Sequence, residues 1–490
     1  MSLTAAMETA RSNLSVLTAK TAVISRNIAN TSNEFASRKI VGTATGHNGV
    51  GVHITSITRA SDEALFHNVL SANSDASYQK ALVDAMDQLN ATINDTEQDA
   101  SPAALIGKLK DALQEYSASP SELVRAQSAI SAADDVATSL NSATELVQNV
   151  RSQADLEISG AVDTINSLLE QYGSVNQKVI DGTRIGSDVT DYLDQRDKIL
   201  ADLSQEIGIK TVAGNNYDLS IYTDSGVTLF QHTARAVTFD GLASYSAVDT
   251  GNALVIDGVP VTGSSATMPI SSGRIKGLIE IRDDIAVTYQ SQLDEMARGL
   301  IEMFAETDQT ASGLPDATGL FSYPGSPTVP ATGTLDTGIA GEISINAVYD
   351  SSQAGDPTLL RDGGANGAAY VYNTTGASGY SARLFELIDE FGVDRSFDAS
   401  TQLGGTLSLE NYASSSIGWM EENRQSAATA QEYSTTVLER ASYSLTSVIG
   451  VNLDYEMSIL LDLEHSFQAT SRLISAIDSM YASLLEAGGR

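Results

Sequence analysis

Apolar residues open the chain at alternating steps of four and three: Leu3, Met7, Ala10, Leu14, Leu17, Ile24 and Ile28, with Thr21 the polar member. That spacing keeps one helix face continuously apolar and is the signature of a coiled coil. The same rhythm closes the chain through Leu453, Leu460, Leu463, Phe467, Ile474, Ile477, Tyr481 and Leu484, with Glu456 and Thr470 in the polar places. A lone amphipathic helix must cover such a stripe, so the two terminal helices are expected to pack on each other and on neighbouring copies of the chain. Two helices rich in Ala and Ser bury little area by themselves, and partner subunits would supply the rest.

Between the ends the period alternates. The Asn, Ser, Thr and Gly of 27–48 compete with helix by local bonding, and the first helix is expected to stop there. Val50, Val52 and Ile54 alternate as a short strand. Ser61, Ser101-Pro102 and Ser119-Pro120 each read as a helix start. The last of these opens the longest periodic run, Leu123 to Val179, whose polar members are Thr144 and Arg151 and which Gly160 or Gly173 would bend or split. Another amphipathic helix is predicted over 191–207. From 210 to 272 the chain alternates Val, Ile, Tyr and Thr between glycines, which predicts a small β domain. Helix returns over 274–304. Residues 308–379, holding Pro315, Pro324, Pro327, Pro330 and Pro357, read as a second loop- and strand-rich insertion, and helix dominates from about 407 to 485.

The expected fold is therefore multidomain: a mainly α-helical stem, made of terminal coiled-coil helices plus a long helical bundle, with inserted β-rich outer domains. The division is 1–45 with 450–490 as the terminal coiled coil; 46–209, 273–307 and 380–449 as the bundle; 210–272 as a β-rich domain; and 308–379 as a second insertion. A chain of 490 residues exceeds what one compact core usually holds.

Charge narrows the partners. Lys and Arg total 28 against 62 Asp and Glu, a formal net charge of -34, which repels phosphate backbones and anionic headgroups, so neither nucleic acid nor membrane is expected as a partner. Basic Arg11, Lys20, Arg26, Arg38 and Lys39 outnumber acidic Glu8 and Glu34 over 1–39, whereas acids dominate 450–490, so opposite charge is expected to help dock the two terminal helices. No cysteine is present, which rules out disulfides and thiolate metal sites. Glu8 and Arg11 interrupt any secretory signal core, and no run is long enough for a membrane span.

Candidate chemistry is sparse. His47, His53, His67, His232 and His465 form no metal-ligand pair at helical spacing. Gly107-Lys108 is followed by Leu109 rather than Ser or Thr, and Gly49-Val50-Gly51 lacks the third glycine of a dinucleotide loop. Asp283-Asp284 reads as a solvated helix face and Asp362-Gly363-Gly364 as a turn. No catalytic, cofactor-binding or metal residue is expected, which points to an assembling structural protein rather than an enzyme.

Family signals sit at both ends and in the middle. Asn27-Ile28-Ala29-Asn30 after a heptad helix resembles the NIAN motif of the flagellar axial proteins. Gly49, Gly51, Arg59 and Asp62 are similar to the GVGV and Arg-x-x-Asp segments of that family's hook-associated branch, and Asn452, Asp454 and Glu456 to its GVNLDEEM. Phe467, Gln468, Ala469, Ser471, Arg472 and Ile474 resemble its C-terminal helix, and 272–283 its GGxLxGLLxxRD stretch. The TPGYSR turn usual after NIAN has lost its Pro and Gly, and Tyr455 stands where an acid is usual.

The resemblance implies a secreted, extracellular flagellar subunit joining hook to filament, exported through the flagellar type III channel and active in motility through assembly alone. Its implied partners are copies of itself in a ring or tube layer, the hook protein, a second hook-filament junction protein, and an export chaperone at the C-terminal helical region. Alternatives are another axial subunit, of hook or rod, or a junction protein whose 308–379 insertion carries glycan-binding or hydrolytic activity.

Overall fold

A computed structural model of the protein describes residues 2–33, 35–46, 51–93, 100–214 and 217–488. Gly49, one of the motif glycines, lies outside the described residues.

The first helix, α1 (Leu3–Ala29), is capped by the Ser2 hydroxyl, which accepts the Ala5 N–H. A hairpin follows, β1 (Lys39–Thr45) and β2 (Val52–Arg59), paired antiparallel from Lys39 opposite Arg59 to Thr45 opposite Val52. The sequence reading expected no element before Val50, so β1 is an addition. Helix α2 (Glu63–Ile93) begins one residue later than a Ser61 cap suggested, because the Asp62 carboxylate accepts the Leu65 N–H and takes the capping role.

Helix α3 (Pro102–Ala118) starts at Ser101 as expected, with the hydroxyl accepting the Ala104 N–H. Ser119-Pro120 ends that helix instead of starting the next: the Ser119 N–H returns to the Tyr116 carbonyl. Helix α4 (Leu123–Ile185) then runs 63 residues without a break at Gly160 or Gly173, about 95 Å at 1.5 Å per residue. Its buried seam, from Ala126 through Leu140, Val147, Ile158, Ile165 and Tyr172 to Val179, holds it against neighbours along its length and outweighs the cost of two glycines. Gly186 closes it in the left-handed conformation at φ 73°.

Helix α5 (Thr190–Glu206) leads into the strands. Strands β3 (Ile209–Ala213), β4 (Leu219–Thr223), β5 (Thr228–Gln231) and β6 (Thr233–Ala234) form a four-stranded sheet; β7 (Val237–Thr238), β8 (Val255–Ile256) and β9 (Val259–Pro260) form a three-stranded one. Helix α6 (Arg274–Glu280) passes through a π-helical turn at Ile281–Ile285 into α7 (Ala286–Met303). Asp283 there is not a solvated acid, since its carboxylate holds the buried Arg282 guanidinium in two bonds of 2.8 Å.

Residues 308–379 carry less strand than expected: β10 (Phe321–Ser322) pairs with β11 (Ser344–Ile345), and the rest is turns, 3-10 segments and the one-turn helix α8 (Leu359–Asp362). Helix α9 (Ala382–Glu390), the pair β12 (Arg395–Ser396) and β13 (Thr406–Leu407), α10 (Leu409–Ile449) and α11 (Leu453–Gly488) complete the chain.

One apolar cluster runs through the helical stem and both inserted regions, joining Met86, Leu113, Leu140 and Leu300 to Ile221, Phe230 and Ile256 of the sheets and to Phe321, Ile343 and Tyr349. Two buried arginines inside it are paired with acids. Arg298 bonds Glu295, both fully buried, and Arg282 bonds Asp155 at 2.6 Å. Arg151, a polar member of the α4 stripe, donates to the carbonyls of Arg282, Ser246 and Asp249 and so ties α4 to the sheet region. Removing one partner of such a pair would strand a charge at a cost of about 3–5 kcal/mol.

Candidate subunit-packing surface

The terminal helices α1 and α11 lie side by side and antiparallel. Asn27 meets Glu456 at one end, the Asn13 amide donates to the Thr470 hydroxyl midway (3.0 Å), and Tyr481 donates to Thr4 at the other end (3.2 Å). Leu17, Ile24 and Leu463 form the centre of their shared seam, with Ile28, Ile459 and Leu460 against it. Along α11 the buried positions recur every seventh residue: Glu456, Leu463, Thr470 and Ile477.

Of the stripe read from the sequence, Ala10, Leu17, Ile24, Leu463 and Ile477 are buried, while Leu3, Met7, Leu14, Ile28, Leu460, Ile474 and Tyr481 are partly covered. Leu453, Phe467 and Leu484 are exposed, at 46%, 47% and 56%. Within this one chain the pair therefore covers only part of the stripe. Sequence reasoning missed Val16 and Val23, buried beside the stripe on α1, and the apolar flanks of α11. On one flank of the seam lie Tyr455, Leu473 and Met480, and on the other Leu453, Met457, Phe467 and Leu485, all exposed; Leu484, also exposed, continues the seam itself. Leu3, Ala476, Ser479, Met480, Ser483 and Leu484 line an open trough of about 590 Å³. Contiguous exposed apolar surface of this kind marks a site of association.

The motif residues build the base of the pair. Asn27 is buried; its amide donates to the Lys39 carbonyl (3.0 Å) and the Glu456 carboxylate (3.2 Å), and its oxygen accepts the Lys39 N–H (2.9 Å). One side chain thus joins helix, hairpin and C-terminal helix. Asn30 caps α1 through its backbone, and Ala29 is exposed. Glu456, also buried, accepts Arg38 Nε at 2.7 Å, and the Arg38 guanidinium lies 4.6 Å from the Tyr455 ring centroid. Tyr455, where an acid is usual in the resembling family, thus stacks on the cation that Glu456 holds. Burial pulls the Arg38 pKa down, but the bond and charge of Glu456 leave it raised. The Asn452 side chain caps α11 by accepting the Tyr455 N–H, and Asp454 is exposed.

Gly51 sits at φ 74°, and a Cβ there would come 2.7 Å from the Ser12 hydroxyl. That hydroxyl bonds both the N–H and the carbonyl of Val52, clamping the hairpin to α1. Arg59 does not reach Asp62; it bonds Asp194 and Asp197 on α5.

Opposite charge was expected to join the two terminal helices. Arg38 does so, but Arg26 and Lys39 go elsewhere. Arg26 bonds Asp188 (3.0 Å) and Asp191 (3.2 Å), Lys39 bonds Asp194, and Arg59 spans Asp194 and Asp197, all at or on α5; of these basic residues Arg38 bonds α11. Burial lifts the Asp197 pKa, against the pull of Arg59 and Arg196. Burial also works to lift Asp188, but bonds from Thr190 and Arg26 bring it below its ordinary value.

Among the described residues no group of three or more His, Asp or Glu could hold a metal ion, and no helix is long and apolar enough to cross a membrane. The arrangement offers helix faces and clamps rather than a cleft with convergent polar groups.

Comparison with known proteins agrees with this architecture. Residues 83–321 match the family model described as the flagellar hook-associated protein FlgK helical domain. Flagellar hook-associated protein 1 of Bacillus subtilis (strain 168) is 24% identical over 523 aligned positions, covering 99% of this chain and 98% of the relative. The protein of the same name from Escherichia coli (strain K12) is 23% identical over 272 positions, 53% of this chain and 48% of its own length. The solved flagellar hook junction protein FlgK from Burkholderia pseudomallei superposes with a TM-score of 0.58 at 14% identity, covering 78% of this chain and 100% of that one, a likeness of fold.

Proposed function

We propose that this chain, which belongs to the flagellar hook-associated protein 1 family, is a structural subunit of the bacterial flagellum that adapts the hook lattice to the filament by subunit packing. The observation that carries the reading is the pair of apolar flanks on α11, exposed on both sides of a seam that α1 already fills. A helix greasy on one side needs one neighbour; a helix greasy on three needs several, as a position within a closed ring or tube layer supplies.

The partners follow from that position: copies of this chain laterally, the hook protein on one side, and a second hook-filament junction protein on the other. Before assembly the same flanks need cover, which an export chaperone at the C-terminal helical region provides. The chain acts outside the cell after export, and it works by packing, without catalysis or cofactor.

The test is deletion of 453–490 together with the double variant Phe467→Asp and Met480→Asp, whose side chains lie on opposite flanks outside the seam. Both proteins keep the stem's helical circular dichroism, and neither is found at the base of filaments by labelled-protein electron microscopy. Normal incorporation of either would sink the proposal. Label along the hook or rod instead would assign the chain to a different axial layer.

A further inference from the structure

We infer that the terminal helix pair and its hairpin ride on the stem through an ionic joint on α5, with Asp194 as its keystone. The two bodies have separate apolar interiors. Leu17, Ile24 and Leu463 cluster apart from the core of the stem, and among the described residues of α1, the hairpin and α11 none belongs to that core. Phe35, in the connection after α1, is the apolar side chain that reaches it, with Lys198 5.8 Å from its ring centroid.

Charges make much of the remaining contact, beside a backbone bond from the Arg38 N–H to the Ile449 carbonyl at the end of α10 (2.8 Å). Asp188, Asp191, Asp194 and Asp197 recur every third residue along α5 and its entry, and three of the four elements of the terminal body present a cation to them: Arg26 from α1, Lys39 from β1 and Arg59 from β2. Asp194 gathers four donors, namely the Ser37 N–H (3.1 Å), the Ser37 hydroxyl (2.6 Å), Lys39 and Arg59 (3.0 Å). The joint has an inner and an outer tier. Lys39 and Asp194 are 2% and 13% exposed at the side chain, whereas Arg26 and Asp191 are 29% and 60% exposed.

Interdigitated apolar side chains lose roughly a quarter to a half of their attraction at a gap of about 0.5–1 Å, whereas charge attraction falls off only as the inverse of distance. A row of acids one helical turn apart also offers each cation a second partner above or below the first. Such a contact resets its angle without unpacking a core. On the reading that this chain sits between two lattices, the joint is what lets one subunit meet neighbours at unequal angles.

The chain has no cysteine, so two introduced thiols report one distance by spin labelling of the full chain. We place them at exposed Thr45→Cys on the hairpin and exposed Gln171→Cys on α4. The parent gives one narrow distance distribution. Asp194→Asn with Asp197→Asn broadens or splits it, while Asp202→Asn, whose acid pairs with Lys198 on the same helix, leaves it unchanged. Should the double variant fail to fold, Arg26→Gln with Arg59→Gln, which removes two of the three cations, gives the same broadening. An unchanged distribution in folded Asp194→Asn with Asp197→Asn, or in Arg26→Gln with Arg59→Gln, would overturn the joint, as would a parent that is already broad. Failure of the filament-base labelling above would remove the junction reading and leave these distances standing.

Discussion

Asn27 answers two backbone groups of Lys39 and one carboxylate oxygen of Glu456 with a single amide. Its orientation is forced, because two acceptors face the nitrogen and a donor faces the oxygen. Asn27→Ala should cost about 1–3 kcal/mol, the usual toll of unsatisfied buried groups. Asn27→Asp should cost more despite its shape, since an oxygen would then face the Lys39 carbonyl and the Glu456 carboxylate. Hydrogen exchange of the α1 amides, faster in the Asp variant than in the Ala variant, checks this. The asparagine was visible in the sequence as part of a motif, but its role was not: its partners lie 12 and 429 residues away. Tyr455 illustrates the same limit, because a departure from a familiar pattern acquires meaning only once Arg38 is seen above the ring.

At the scale of elements, period three-four gave the helices and period two the sheets of 209–260, and both survive in the structure. What periodicity could not give was continuity or ends. Gly160 and Gly173 do not interrupt α4, and they differ in surroundings: a Cβ at Gly160 meets nothing within 4 Å, whereas one at Gly173 comes 3.1 Å from the Phe230 ring. Gly160→Ala should therefore stabilise the protein by about 0.5–1 kcal/mol. Gly173→Ala should recover less or none of that gain, because Phe230 must give way; chemical denaturation midpoints of the two variants decide it. The turn-rich character of 308–379 also has a physical origin. Side chains there satisfy the backbone in place of strands: Asp308 accepts the N–H groups of Thr310, Gly313 and Leu314, and buried Glu306 accepts those of Ala365 and Asn366. Alternating Val and Thr in a sequence does not reveal that competition.

Across the whole molecule, the charge asymmetry of the N-terminal segment was legible and its destination was not. The acids that receive Arg26, Lys39 and Arg59 lie at the start of α5, in a stretch that reads as an ordinary amphipathic helix. A second long-range tie is Asp294 of α7, fully buried, which accepts the N–H groups of Gly338 (2.9 Å) and Ala340 (3.0 Å) and the Gln290 amide, pinning the insertion to the stem. Burial outweighs those three donors and pushes its pKa up to about 6 from 3.8. The folded state then holds this proton more tightly than the unfolded chain does, so the group's contribution is full below about pH 4 and is lost as pH rises through about 6. The difference in unfolding free energy between the parent and Asp294→Asn should drift in that window, with the parent losing ground as pH rises, and be flat above it; urea titrations at successive pH values measure it.

The seven-residue recurrence of Glu456, Leu463, Thr470 and Ile477 has a further consequence. A straight helix drifts about 20° per heptad, so two helices that keep this register must wind around each other with a left-handed twist. Length along the pair is thereby quantised. Whole heptads added to or removed from both helices preserve the winding, whereas a single inserted residue between Leu463 and Thr470 would turn everything beyond it by about 100° and bring a different side of α11 to face α1.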